Sequence, residues 1–349
     1  MTERVLSERA LNRALLARQL LLERARLPVP ETLEQMGGLQ DQYAPSGYVG
    51  LWSRVAGFRR DDLTAALADR SVVQATLLRN TIHLVSAADY PLLAAATLRA
   101  RREWYLRAAR PELAGLDVPA AARLVRELLA DGPRSERDIR AALESRGHGR
   151  LAWRGVGAFL DLVRVPPSGT WERRRADLYG LADTWLGPQA APESDGLEHL
   201  VRRYLGAFGP APIADIASWG GVPAPWLRPA VDRIADARYR DERGRELVDL
   251  AGAPLPDPDV PAPVRFLPTW DATLLVHARR TGILPERFRP RVFDTKTPHS
   301  VPTILVDGRV AGTWRYEGAR IAIEPFEPLG PGVEAQLHEE ATGLEALHA

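Results

Sequence analysis

Apolar positions at helical spacing open the chain. Leu11, Leu15, Leu16, Leu20 and Leu22 fall on one stripe, and Ser7 suits a helix start, so a helix is predicted over 7–24. Pro28 and Pro30 stop it, and a second short helix carries Leu33 and Met36 to Gly37-Gly38. Residues 48–53 are small and aromatic and are predicted to be buried. A helix with Leu63 and Leu67 on its face follows through Arg70, capped by Asp61 or Asp62. Residues 74–85, rich in Thr, Val, Leu and Ile, read as one or two strands. A long helix over 87–110 bears Arg99, Arg101, Arg102, Arg107 and Arg110, spread around the cylinder.

Two later segments repeat one plan. The first has a helix over 120–131, the break Gly132-Pro133, a helix to 146, a third over 153–163 and a two-stranded turn over 162–175. The second has a helix over 197–208, the break Gly209-Pro210, a helix to 219, a third over 225–235 and a hairpin around 242–245. Asp138-Ile139 and Asp215-Ile216 stand at the same offset from Gly-Pro. This is the order of a winged helix, a helix-turn-helix closed by a β-wing, and a repeated whole unit is stronger evidence than one copy. The N-terminal part fits the scheme more loosely. The predicted fold is mainly α with small β-wings: three tandem winged-helix units over 1–117, 118–192 and 193–255, then a β-rich segment over 256–349. A linker over 251–263, dense in Pro and Asp, separates them. Strand-like runs at 303–306, 309–313 and 320–324, with turns at Asp307-Gly308 and Glu317-Gly318, suggest an antiparallel sheet or barrel. A helix over 332–346 closes the chain.

Composition narrows the function classes. The 349 residues carry 46 basic and 45 acidic side chains, a net charge of +1, so any affinity for polyanions rests on distribution and not on total charge. Lys296 is the single lysine. It is therefore the one candidate for a Schiff base, and it lies far in sequence from the motif below. With no cysteine there is no disulfide framework, thiolate nucleophile or cysteine-ligated metal. No His-Glu-x-x-His, paired-Asp or Gly-Lys-Ser motif occurs, so neither a metal, a cofactor nor nucleotide hydrolysis is expected. The N-terminus has no signal-like apolar run and no stretch reaches membrane-spanning length, which predicts a cytoplasmic, nucleoid-associated chain with no membrane partner.

The stretch Gly37-Gly38-Leu39-Gln40-Asp41-Gln42-Tyr43-Ala44-Pro45 carries the most chemistry. In an extended backbone alternate side chains share a side, so Gln40 and Gln42 face one site and Asp41 faces away. Two carboxamides can hold one water between a carbonyl acceptor and an amide donor, but they deprotonate it poorly. They suit a reaction whose leaving group departs easily. Taken from the residues alone, the pair reads first as a polar turn capping backbone groups between helix and strand. Asp41 is compatible with three roles: capping a turn, stabilising developing positive charge, or acting as general base.

Gly38-Leu39-Gln40-Asp41-Gln42, Leu78-Arg79-Asn80-Thr81-Ile82-His83-Leu84-Val85 and Pro302-Thr303-Ile304-Leu305-Val306-Asp307-Gly308 together resemble the AlkZ/YcaQ-type winged-helix DNA glycosylases over nearly the whole chain. That family carries a Gln-apolar-Gln or Gln-apolar-Asp element, and Asp41 departs from it in the middle position. The resemblance implies a monofunctional DNA glycosylase that removes alkylated bases, including bulky adducts at purine N7, from double-stranded DNA as a monomer. Gln40, Gln42 and Asp41 are then the catalytic element. Two other readings stand beside it: a non-catalytic winged-helix regulator, and a resistance protein that sequesters a DNA-reactive natural product.

For DNA contact the candidates flank the second wing. Arg164 and the run Arg173, Arg174 and Arg175 suit phosphates, and Trp171 is placed to stack on a base. Arg79 and His299 are counted with them. His277 lies beside Arg279 and Arg280, another basic stretch. His83 sits in an apolar strand and reads as structural, and the remaining tryptophans read mostly as core.

Overall fold

Ser7 caps the first helix as predicted. In the structure, a computed structural model that describes residues 4–108, 115–188, 190–275, 280–293 and 300–349, its Oγ accepts the Ala10 N–H at 3.1 Å. Arg4–Leu6 (β1) precedes that helix, Glu8–Arg18 (α1), which ends short of the predicted limit where Leu20 turns left-handed at φ 57°.

The next elements are Val29–Met36 (α2), Leu39–Gln40 (β2), Ala44–Trp52 (α3), Arg60–Ala68 (α4), Val72–Thr76 (β3) and Ile82–Ser86 (β4). β4 lies antiparallel between β2 and β3. Asp62 supports α4 from inside its first turn, accepting the Arg59 N–H at 2.7 Å, so it sits at the third helical position and is not the cap residue itself. Tyr90–Ala108 (α5) leads to a second set: Val118–Ala130 (α6), Arg134–Ser135 (β5), Glu136–Ser145 (α7), Trp153–Val156 (α8), Leu162–Arg164 (β6) and Leu178–Leu181 (β7). Here β7 lies between β5 and β6, the same order as in the first set. The helix predicted over 153–163 stops at Val156, where Gly155 and Gly157 weaken it and Tyr105 packs into the space a Cβ on Gly155 would fill. β3 also pairs with β6, Gln74 opposite Arg164, so the two sets share one six-stranded sheet in the order β2-β4-β3-β6-β7-β5.

After Ala182–Leu186 (α9) comes a third set: Glu193–Phe208 (α10), Ile213–Gly220 (α11), Ala224–Ile234 (α12), Ala237–Asp241 (β8) and Glu246–Asp249 (β9). Ala211 bridges to Val248 at the position β2 and β5 hold in the other sets, and β1 adds to β8 in parallel. The C-terminal part holds Arg265–Leu267 (β10), Ala272–Leu275 (α13), Arg289–Val292 (α14), Thr303–Val306 (β11), Arg309–Glu317 (β12), Arg320–Pro325 (β13) and Val333–His348 (α15). Its strands form an open sheet in the order β10-β11-β12-β13, not a barrel, among the described residues. Asp307-Gly308 turns the first hairpin with φ 46° and 75°. The second turn is Gly318-Ala319, one residue on from the prediction, because Glu317 still pairs with Arg320.

Two apolar cores enclose strand β2. One gathers α5, α10, α11 and α12 around Tyr204, Phe208 and Trp219, and takes Val85 from β4. The other gathers α2, α3, α4, the C-terminal sheet and α15 around Tyr48, Phe266 and Trp314, and takes Leu39 from β2. Helix α1 spans between sets with buried polar side chains. Arg18 donates to both oxygens of Asp249 at 2.7 and 2.8 Å, and to the Leu205 and Pro254 carbonyls. Both partners are fully enclosed. Asp249→Ala should therefore strand a buried guanidinium and lower unfolding stability by roughly 3–5 kcal/mol. A denaturant midpoint equal to wild type would show that the pair bears no such weight.

Candidate functional site

Gly37 and Gly38 deliver the chain to the site. Gly37 ends α2 in the left-handed region at φ 74°, and Gly38 follows at 81°. A Cβ on Gly38 would stand 3.0 Å from the Leu84 carbonyl oxygen, so only glycine lets β2 lie this close to β4. From there Gln40 pairs with His83, and the Asp41 N–H donates to the Ile82 carbonyl.

Side chains then alternate. Gln40 is buried at 8% exposure, and its Oε1 accepts from Arg79 Nη2 at 2.8 Å. Gln42 is exposed, and its Oε1 accepts the Ile82 N–H at 2.7 Å. Each carbonyl oxygen keeps a second lone pair, and each amide group makes no hydrogen bond to described residues, so both carboxamides retain capacity for a ligand. Asp41 goes the other way. At 2% exposure it accepts the Gly47 N–H at 3.1 Å on Oδ1 and Gln74 Nε2 at 2.5 Å on Oδ2. Of its three compatible roles it fills the capping one, under the first turns of α3. Each of its oxygens accepts a hydrogen bond on the side away from the glutamines, so the structure sets Asp41 apart from the carboxamide pair.

Burial raises the Asp41 carboxyl to about 7, against the lowering effect of the Gln74 and Gly47 hydrogen bonds and of the Arg164 charge. Burial, with Arg79 nearby, lowers His83 to about 3, so the ring is neutral, with Nδ1 3.0 Å from the Thr81 carbonyl oxygen; the structural reading of His83 holds. Burial also lowers Arg79 to about 10, which leaves it charged at neutral pH. Its Nη1 donates to the Trp219 carbonyl in the last turn of α11. Arg79, counted among the DNA-contact candidates, thus supports Gln40, with its guanidinium engaged on two acceptors. No sequence signal marked this, since Arg79 and Asn80 both adopt positive φ (53° and 59°) without being glycine.

The second wing is where expectation and structure part. Residues 165–177 do not continue the strands but fold inward as a loop. Ser168 Oγ donates to the Arg175 carbonyl and accepts the Asp177 and Leu178 N–H groups. Trp171 is 5% exposed, edge-on to Tyr48 at 5.5 Å and to His348 at 5.0 Å, so its expected stacking on a base is corrected: the ring is spent on the core. Arg164 lies in β6, buried, with both Nη atoms 3.2 Å from Thr76 Oγ1; it is not a surface phosphate contact. Arg173 and Arg175 are exposed but pair with Asp177 at 3.7 and 3.1 Å. Arg174 alone of the run reaches the glutamine segment, donating to Tyr43 Oη at 3.0 Å. Tyr43 follows Gln42 and is exposed; sequence reasoning passed over it. His299, His277 and Lys296 lie outside the described residues, as does Arg279.

The geometry has counterparts. A sequence model of the family described as AlkZ-like DNA glycosylases matches residues 33–347. A curated protein of Streptomyces sahachiroi named interstrand DNA cross-link repair glycosylase is 26% identical over 363 aligned positions, covering 95% of this chain and 92% of that protein. The solved structure of the S. sahachiroi DNA glycosylase AlkZ superposes with a TM-score of 0.79 over 98% of this chain and 97% of the other, at 19% identity, and so shares the fold.

Asp41 yields a test of the enclosed carboxyl. It binds its proton more tightly when folded than at the ordinary value of 3.8, so folding retains a proton between about pH 4 and 7 and stability is lost as pH rises through that window. Asp41→Asn, neutral throughout, should gain on wild type across the same window in thermal melts. A difference between the two that does not change with pH would show that Asp41 does not titrate there.

Proposed function

The chain belongs to the AlkZ-like DNA glycosylase family, a class of hydrolases acting on N-glycosyl bonds, and we propose that it hydrolyses the bond between deoxyribose and purines alkylated at N7 in duplex DNA, bulky and cross-linked adducts included. The observation that carries this reading is the pair of anchored carboxamides: Gln40 at the end of β2, held by Arg79, and Gln42 two residues on, held by the Ile82 N–H. The cross-link extension draws on the name of the curated relative.

Alkylation at N7 puts a formal positive charge on the purine and weakens its bond to the sugar, so the base departs without an acid. The sugar becomes oxocarbenium-like, and a water must meet its anomeric carbon. Gln40 and Gln42 hold that water between a free carbonyl lone pair and an amide donor, while their carbonyl dipoles favour the developing cation. Because each oxygen is already tied to a backbone or guanidinium donor, the carboxamides are oriented before substrate arrives, and little reorganisation is left for the reaction. No proton needs to pass through Asp41.

The three α/β sets, with boundaries near residues 117, 192 and 255, serve in this proposal as winged-helix units that grip one duplex as a monomer. Arg174, beside Tyr43 and exposed at the glutamine segment, is the wing residue best placed for a phosphate. Affinity then falls with added salt.

Purified protein incubated with N7-methylated duplex should release free base and leave alkali-labile abasic sites. Gln40→Ala and Gln42→Ala should each slow release about 100-fold, while duplex affinity changes by less than about twofold. Tight binding with no base release from either methylated or bulky-adduct DNA would leave a DNA-binding protein without catalysis. Unchanged release in both variants would remove the water-holding role.

A further inference from the structure

Behind the loop that supports Gln40 lies a cavity of about 350 Å³, where β3, α5, α8 and β6 meet. That size is at the lower end of the roughly 300–1,000 Å³ typical of ligand sites. Arg101 of α5 and Arg164 of β6 enter it, each 8% exposed, and both converge on Thr76. Arg101 donates to the Thr76 carbonyl and Arg164 to its hydroxyl. The Nε of each is buried and has no hydrogen-bond partner, a state rarely tolerated for a charged donor. Asp161, half-exposed, stands 3.6 Å from Arg101, and Asp41 acts on Arg164 from deeper in the fold. Arg140 adds a third buried, unpartnered Nε at the wall while pairing with Glu136 at 2.6 Å. Enclosed guanidinium groups with unused buried donors favour an anionic ligand, which would supply the acceptors that the neighbouring carboxylates do not.

The cavity is also aromatic. Trp104, 55% exposed, stands at its mouth, and Trp153 lines the wall. Guanidinium donors beside an open indole face are the combination that holds a phosphate and its base together. Asn80 lines the cavity too, and its neighbour Arg79 holds Gln40, so a ligand here sits against the same loop as the catalytic glutamine.

We propose that this cavity binds one deoxynucleoside phosphate, with the phosphate on Arg101 and Arg164 and the base against Trp104. The proposal deepens the glycosylase reading in one respect, since a nucleotide of the gripped strand is the source at hand; a free mononucleotide offers the same chemistry. It does not depend on bond cleavage, so its test uses undamaged ligands.

Calorimetric titration of the full chain with deoxyguanosine 5′-monophosphate should show one saturable site, and deoxyguanosine without phosphate should bind at least about tenfold more weakly. Trp104→Ala, at an exposed position, should weaken the monophosphate about tenfold, and Arg164→Gln should do so more strongly. The thermal melt of each variant separates lost binding from lost folding. Displacement of the monophosphate by a short single-stranded oligonucleotide identifies the strand as the source; binding without displacement identifies a free nucleotide. Absence of saturable binding to folded wild type, or equal affinity in Trp104→Ala, overturns the site. Retained monophosphate binding in a protein that releases no base from methylated DNA would defeat the glycosylase reading and leave the nucleotide site standing.

Discussion

The guanidinium of Arg79 has no carboxylate within ion-pair distance among the described residues. Its charge is met by dipoles instead: the Trp219 carbonyl at the end of α11 and the carboxamide oxygen of Gln40. A helix C-terminus is a favourable place for a cation, because its last carbonyls lack intrahelical donors. Gly221 completes the arrangement. A Cβ there would come within 2.9 Å of the Arg79 backbone nitrogen, so the third α/β set closes on this loop at backbone contact. The position of Gln40 is thereby set by an element far along the chain, and anything that shifts α11 shifts the site.

That dependence explains the rest of the architecture. β2 is only two residues long and cannot hold itself in place. It is held by β4, by an apolar core on each side and by the glycine pair that brings it in. The buried polar contacts of the first helix brace the same frame. Arg18 ties α1 to β9 and the linker, and Gln19 donates to the carbonyls of Met36 and Ala207, joining the ends of α2 and α10. Arg54 reaches the Gln19 carbonyl and Asp271. Such buried polar groups fix one arrangement among several that apolar packing alone would allow, since each alternative leaves a donor or charge unsatisfied.

Fusion of two sets into one sheet redistributes the arginines. Pairing β3 with β6 turns Arg164 inward over Thr76 and folds the following loop onto Tyr48 and His348. A cluster that looks like a basic tip in one dimension becomes an ion-paired loop with one residue, Arg174, turned to the glutamine segment. Positive charge is instead concentrated inside, at the cavity shared by Arg101 and Arg164.

Much of this chain is written locally. The Ser7 cap, the helical stripes, the order of elements in the second and third sets, the Asp307-Gly308 turn and the opposed facing of Asp41 and the two glutamines all follow from spacing, caps and turn residues, which act over a few positions. The family resemblance was legible for the same reason, in three short motifs. What only the tertiary structure decided are the long-range matters: that Arg79 supports Gln40, that Asp41 is sealed under α3 with a raised pKa, that Trp171 and Arg164 are interior, and that the C-terminal sheet stays open. Each depends on which surfaces meet between separate elements of the chain, or on two strands choosing one register, and burial converts the same arginine or aspartate from a solvated charge into a buried partner whose surroundings set its chemistry.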